Sequence, residues 1–209
     1  MSFSLFNRSF PFIELIGRQL TTLREAAVLL DSVFSDFREL AEKCTRIRAL
    51  APYSEVAADE VTRQLSLTYL KPDERKDIYD LNLALQEAMV AVVDVSTRIG
   101  LYGFREIRAA ARNLTAALVE MITENERLVS NLVAARIDDE YEQKMRRLKE
   151  EARMFLVVGL GETYESEPRT PADVLEVVKW GQIYDRLEEA LLATSRLTAI
   201  IQGIILKNV

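Results

Sequence analysis

The fold is decided by residues 72–100, which read PDERKDIYDLNLALQEAMVAVVDVSTRIG. Apolar residues recur there at alternating steps of three and four, at Ile78, Leu81, Leu85, Ala88, Val92, Val95 and Ile99. This spacing predicts a long α-helix with one apolar face that packs at a shallow angle against its neighbours. Pro72 suits a first helical turn, and the acidic residues Asp73 and Glu74 complement the helix dipole.

The same spacing recurs on both sides of this helix. It predicts five further helices, over residues 16–34, 36–69, 107–132, 138–159 and from 170 onward. Pro52 predicts a kink or break in the second of these six, and Gly159 and Gly161 predict the end of the fifth. We therefore expect an all-α fold of six long antiparallel helices, forming a single domain over residues 1–209.

A short repeat divides the chain into two parts. Ile78-Tyr79-Asp80 and Ile183-Tyr184-Asp185 lie 105 positions apart, and each opens a long apolar stretch. With the matching helix order, this indicates a duplicated three-helix unit, whose halves cover residues 1–102 and 103–209.

Asn125 interrupts the apolar face of the fourth helix. A lone Asn there can fix the register of the helices. Alternatively it lies at the rim while Ile122 fills the core, or it serves as a ligand-binding amide.

Composition restricts the function classes. The chain has 209 residues, of which 49% are hydrophobic, no histidine and one cysteine, Cys44. Histidine-based catalysis, cysteine clusters and intrachain disulfides are therefore excluded, and we identify no catalytic apparatus. A net charge of −6 disfavours nucleic acid and anionic membrane surfaces as partners. Without a signal-peptide pattern or a long enough apolar run, we expect a cytoplasmic protein.

Carboxylates are then the only strong metal-ligand candidates. Glu55 and Asp59 stand four positions apart, so their side chains share one helix face. They bind a cation there, or they form an ordinary solvated face. Glu87, Glu142 and Glu188, each taken alone, read as surface residues. Tyr102 and Phe104, at the turn after the third helix, mark a contact surface or pack against a neighbouring helix.

Three segments carry a resemblance to a known family: residues 69–81 (YLKPDERKDIYDL), 178–190 (VKWGQIYDRLEEA) and 201–208 (IQGIILKN). They resemble the turn, the last helix and the C-terminal end of the PhoU-like family of phosphate-transport accessory proteins, which are often encoded beside a Pit-type phosphate transporter. The resemblance implies two three-helix bundles and accessory control of phosphate uptake without catalysis. The implied partner is the Pit-type transporter or an associated regulator, with the protein peripheral to the membrane at most; a homo-oligomer is left open.

The resemblance also implies acidic metal motifs, in which a carboxylate is followed four positions later by an Asp. Glu55 and Asp59 keep this pattern, and Glu87 survives from the motif on the third helix, giving a partial first-half site for a divalent or iron-type cation. In the second half the motifs fall on Glu142, Arg146 and Glu188. An Arg would repel a cation, so we predict that an ion pair between Arg146 and Glu142 or Glu188 replaces the metal. No cofactor is required by this interpretation.

Two alternative functions are kept beside this one. The first is a carboxylate-ligated metal-binding protein that uses iron or manganese. The second is a structural helical scaffold unrelated to phosphate.

Overall fold

The computed structural model describes residues 4–104, 106–130, 137, 139–165 and 168–207, with side chains from Phe12 onward. This part of the chain contains six α-helices: α1 Ser4–Ser35, α2 Leu40–Leu67, α3 Pro72–Tyr102, α4 Ala109–Ser130, α5 Asp139–Tyr164 and α6 Pro171–Lys207. No strand is assigned in the described ranges. The predicted all-α class is confirmed.

The helices form two groups of three. Helices α1, α2 and α3 pack against one another, and so do α4, α5 and α6. The two groups are joined by α1 on α4 and by α3 on α6, so the first helices of the groups meet, and so do the third. The apolar faces predicted from the three-and-four spacing line one continuous core that includes Leu85, Val92, Leu118 and Leu187.

Local signals set several helix ends where the sequence predicts them. The α6 helix begins after Thr170, whose hydroxyl accepts a hydrogen bond of 3.2 Å from the Asp173 amide, while the Asp173 carboxylate accepts one of 2.9 Å from the Thr170 amide. This reciprocal pair satisfies two amides at the open end of the helix. The α3 helix ends at Tyr102, and Gly103 after it has a φ of 63°, a left-handed conformation that favours glycine.

Two predicted helix breaks are wrong, and a kink at Pro52 stays a prediction. Pro52 lies inside α2, which runs without a break from Leu40 to Leu67, since buried residues on both sides, Ile47 and Ser54 among them, hold the helix against its neighbours. Gly159 and Gly161 lie inside α5, which continues to Tyr164. The glycine at 159 serves packing instead: a Cβ built there would lie no more than 2.6 Å from the Cζ, Cε1 and Oη atoms of Tyr184.

Buried amides tie the helices together within each group. Asn125 is fully buried, donates a hydrogen bond of 3.0 Å to the Thr198 hydroxyl of α6, and accepts one of 3.5 Å from the Tyr141 hydroxyl of α5. This confirms the structural role of Asn125 in the core and excludes a position at the rim. In the other group, Gln19 of α1 donates a hydrogen bond of 2.8 Å to Asn82 of α3.

One described helix, α6, is long and apolar enough to cross a membrane when judged by length and composition alone. Its most apolar window of 18 residues has a mean hydropathy of 1.4, and 39% of that window is buried inside the fold. Residues such as Ile183, Leu187 and Ile201 of this helix pack in the core.

Candidate functional site

The predicted acidic residues of the first half occupy the outer surfaces of two helices. Glu55 and Asp59 are exposed on α2, and neither forms a hydrogen bond or an ion pair among the described residues. Glu87 of α3 is half-buried and faces the other half of the molecule, where its carboxylate lies 3.6 Å from the guanidinium of Arg196 on α6. Glu87 therefore has an ion-pair partner on α6, whereas Glu55 and Asp59 have none among the described residues.

Metal binding by these residues lacks a complete donor set. Within the described ranges, no three Asp, Glu or Cys side chains converge in a group that could hold a metal ion. A hard cation needs several oxygen ligands, and two exposed carboxylates on one helix do not supply them. A cation at Glu55, Asp59 and Glu87 stays a prediction that the arrangement of these side chains does not favour.

The predicted ion pair of the second half is not formed. Glu142 and Arg146 are exposed on α5, Glu188 is exposed on α6, and Arg146 makes no ion pair with either carboxylate in the described part of the chain. Glu142 stands one turn before Arg146 on α5, and the two exposed side chains are not paired there. For Glu188 the reason is the register of the two antiparallel helices. Gly159 lies beside Tyr184, so Glu188, one turn further along α6, is level with Arg153 and Leu156. Arg146 precedes Arg153 by seven residues, which separates it from that level by about 10 Å.

Glu188 instead lines a groove between α4, α5 and α6 with a volume of about 380 Å³. Lys149 and Arg153 of α5 line the same groove, on the side facing Glu188 and Ser195. Burial lowers the pKa of the Lys149 ammonium, since desolvation disfavours the charged form. The cations near Glu188 are thus residues that the motif comparison did not point to.

A second and larger groove contains Asp59. It lies between α1 and α2, has a volume of about 720 Å³, and is lined by Leu15, Arg18, Thr21, Thr22, Tyr53, Val56, Ala57, Asp59, Glu60 and Arg63. We call it the α1/α2 groove. The three-and-four spacing of α2 places Tyr53, Val56, Ala57 and Glu60 along the helix face that borders α1.

Both arginines of the α1/α2 groove are held by carboxylates of their own helix. Arg18 lies 2.5 Å from Glu14, one turn earlier on α1. Arg63 makes two hydrogen bonds to Glu60, of 2.6 and 2.7 Å. These bonds, with a third of 2.8 Å from Gln64, lower the pKa of Glu60 to about 2, so this carboxylate stays ionised at any physiological pH.

Tyr102 and Phe104 pack within the molecule. Their rings meet edge to face with centroids 5.9 Å apart, and Phe104 lies 4.4 Å from the ring of the buried Trp180. The Arg108 guanidinium covers the Trp180 ring at 4.9 Å. Of the two readings of these aromatic residues, the structure supports packing against a neighbouring helix.

The α1 side of the α1/α2 groove was not predicted. Leu15 and Arg18 belong to a helix for which the apolar spacing predicts only a core-facing side. Their proximity to α2 depends on how the two helices pack. The one local signal is the run Tyr53, Val56 and Ala57 beside the predicted acidic pair.

Comparison with known proteins agrees with this fold over the whole chain. No protein-family model matches the sequence. A protein of Rhizobium meliloti (strain 1021) named "Putative pit accessory protein" is 24% identical over 217 residues, which cover 98% of this chain and 99% of that protein.

Two solved structures from Shewanella oneidensis MR-1 share the architecture. A PhoU-like protein superposes with a TM-score of 0.68 at 14% identity, and a PhoU-like phosphate regulatory protein with a TM-score of 0.67 at 15% identity. Each alignment covers 94% of this chain and 99% of the other.

The six helices therefore have the PhoU-like fold, and the resemblance predicted from the three segments is confirmed. Within that fold, the sequence similarity to the Rhizobium meliloti protein extends over nearly the full length of both chains.

Proposed function

We propose that the protein is a cytoplasmic accessory protein of inorganic phosphate transport, which acts by binding a Pit-type phosphate transporter or its regulator. The observation that carries the proposal is the similarity to the Rhizobium meliloti protein along 98% of the chain. The fold shared with a PhoU-like phosphate regulatory protein supports the same process.

The chemistry of the side chains favours binding over catalysis as the mode of action. The sequence has no histidine, and its one cysteine, Cys44, is buried. Burial raises the pKa of the Cys44 thiol, which keeps it in the unreactive protonated form. Shape and surface charge are then the means by which the protein acts.

The distribution of apolar residues supports a position at the membrane surface rather than within it. Apolar residues of α6, Ile183, Leu187 and Ile201 among them, pack in the core with residues of α3 and α4, and 39% of the most apolar window of α6 is buried. Reaching a membrane transporter from the cytoplasm requires an exposed surface that fits the transporter, and no spanning segment is needed for that.

Phosphate uptake in a strain that lacks the gene tests the proposal. Uptake of radiolabelled phosphate, measured at low and high external phosphate, is expected to differ from that of the parent strain, and the gene on a plasmid is expected to restore it. The difference should disappear in a strain that also lacks the Pit-type transporter. Unchanged uptake together with unchanged transporter abundance would overturn the proposal.

A further inference from the structure

The α1/α2 groove exposes apolar side chains that the core does not use. Tyr53 and Val56 are each 70% exposed, although they stand on the border between two packed helices. Leu15 and Ala57 continue the apolar surface across the groove. An exposed apolar surface with a polar rim is typical of a binding site for another molecule.

The charges at the rim of this groove are not balanced. Arg18 and Arg63 are each paired with a carboxylate of their own helix, Glu14 and Glu60. Asp59 lines the groove without a hydrogen bond or ion pair among the described residues. Glu55, one turn earlier on α2, does not line the groove, so Asp59 is the lining carboxylate without a partner among the described residues. The charge left for a ligand is therefore negative.

The dimensions suit a helix. The lining residues run from Leu15 to Thr22 on α1 and from Tyr53 to Arg63 on α2. Eleven residues of helix span about 15 Å, which equals about three turns of a helix laid along the groove. Two adjacent helices offer a third helix a channel in which its apolar side chains can pack.

We propose that the α1/α2 groove binds an amphipathic helical segment of the partner whose apolar side packs on Tyr53 and Val56 and which carries a Lys or Arg side chain that pairs with Asp59. The inference rests on the proposed function, because it assigns this groove to the transporter. Cytoplasmic loops of membrane proteins carry an excess of Lys and Arg, which complements the unpaired carboxylate. Asp59, which resembles part of a metal motif, then serves as the acidic anchor of a docking groove.

Binding of the purified transporter in nanodiscs, and of synthetic peptides covering its cytoplasmic loops, tests the inference. Asp59→Lys and Val56→Asp are expected to weaken binding about tenfold or more, since one reverses a rim charge and the other makes the apolar surface polar. Wild-type binding is expected to weaken as salt rises, and less so for Asp59→Lys.

Matched controls exist on the opposite half of the chain. Glu142→Lys reverses an exposed, unpaired carboxylate on α5, and Val157→Asp replaces a valine that is 63% exposed. Both are expected to bind like the wild type. Circular dichroism melts of all four variants should match the wild type, because each substituted side chain is exposed.

The outcomes separate this inference from the proposed function. If the protein binds the transporter, and the controls weaken binding as much as Asp59→Lys and Val56→Asp do, the groove is not the docking site and the proposed function stands. If the wild type binds neither the transporter nor any loop peptide, both are overturned. If the two groove variants instead dissociate a homodimer in analytical ultracentrifugation and leave transporter binding unchanged, the occupant is a second copy and the inference is wrong.

Discussion

The contact between Gly159 and Tyr184 predicts an unusual response to a small substitution. Glycine inside a helix is normally unfavourable, so replacing it with alanine stabilises a protein by about 0.5–1 kcal/mol. At Gly159 the added methyl group would lie within 2.6 Å of three atoms of the Tyr184 side chain, which is fully buried. Overpacking of this kind costs about 1–3 kcal/mol, and the depth of the overlap places it at the upper end. The net loss expected for Gly159→Ala is therefore about 2 kcal/mol.

Urea unfolding followed by circular dichroism measures this loss, and Gly161→Ala is the matched control. Gly161 lies two residues further along α5, and no atom lies within 4 Å of a Cβ built there. Gly161→Ala should raise the free energy of unfolding by about 0.5–1 kcal/mol, so the two variants should differ by about 3 kcal/mol. For a chain of this size, the loss in Gly159→Ala corresponds to a fall in Tm of about 4–8 °C.

A double-mutant cycle identifies the partner of the methyl group. In a Tyr184→Leu background the ring is gone, so adding Gly159→Ala should cost less than it does in the wild type. Equal stability of Gly159→Ala and Gly161→Ala, or a cost that persists undiminished in the Tyr184→Leu background, would refute the reasoning.

Three further predictions concern the core and one helix end. Burial raises the pKa of Tyr184 to about 12, so the stability it contributes is fully present below about pH 10 and is lost as the pH rises from there toward 12. Urea midpoints across this range should fall more steeply for the wild type than for Tyr184→Phe, and equal slopes would contradict the assignment. Asn125→Ala removes the hydrogen bond of 3.0 Å to Thr198 and should lower the free energy of unfolding by about 1–3 kcal/mol, whereas an unchanged urea midpoint would show that the amide is dispensable. Gly103→Ala forces a side chain into a φ of 63° and should lower the Tm at a cost of about 1 kcal/mol, with Gly103→Asn intermediate; a Tm at or above that of the wild type would count against strain at this position.

Features that depend on neighbouring residues in the sequence could be predicted. The capping sequence at Thr170-Pro171 predicts the start of α6, and Pro72 with the acidic residues that follow it predicts the start of α3. The apolar spacing of α3 predicts which face of the helix is buried, and this prediction does not depend on which helices cover that face.

Features that depend on the packing of distant segments could not be predicted. A glycine at 159 reads as a helix end unless the Tyr184 ring beside it is known. The predicted ion pair between Arg146 and Glu188 is absent for the same reason. Matching residues to a motif gives a position in the sequence, whereas the register of α5 against α6 decides which cation lies at the level of Glu188. Of the α1/α2 groove, the sequence could supply Asp59 on α2 but not Leu15 and Arg18 of α1 opposite it.

The joining of the two helix groups has a consequence for how the protein can change over time. First helix meets first helix and third meets third, which is the pattern of contacts made by two copies of a subunit in a symmetric dimer. In such a dimer every substitution appears twice, so a surface cannot differ between the two subunits. A single chain carries each substitution once. Exposed side chains can therefore differ between the two groups, as Glu55 and Asp59 on α2 and Arg146 on α5 do.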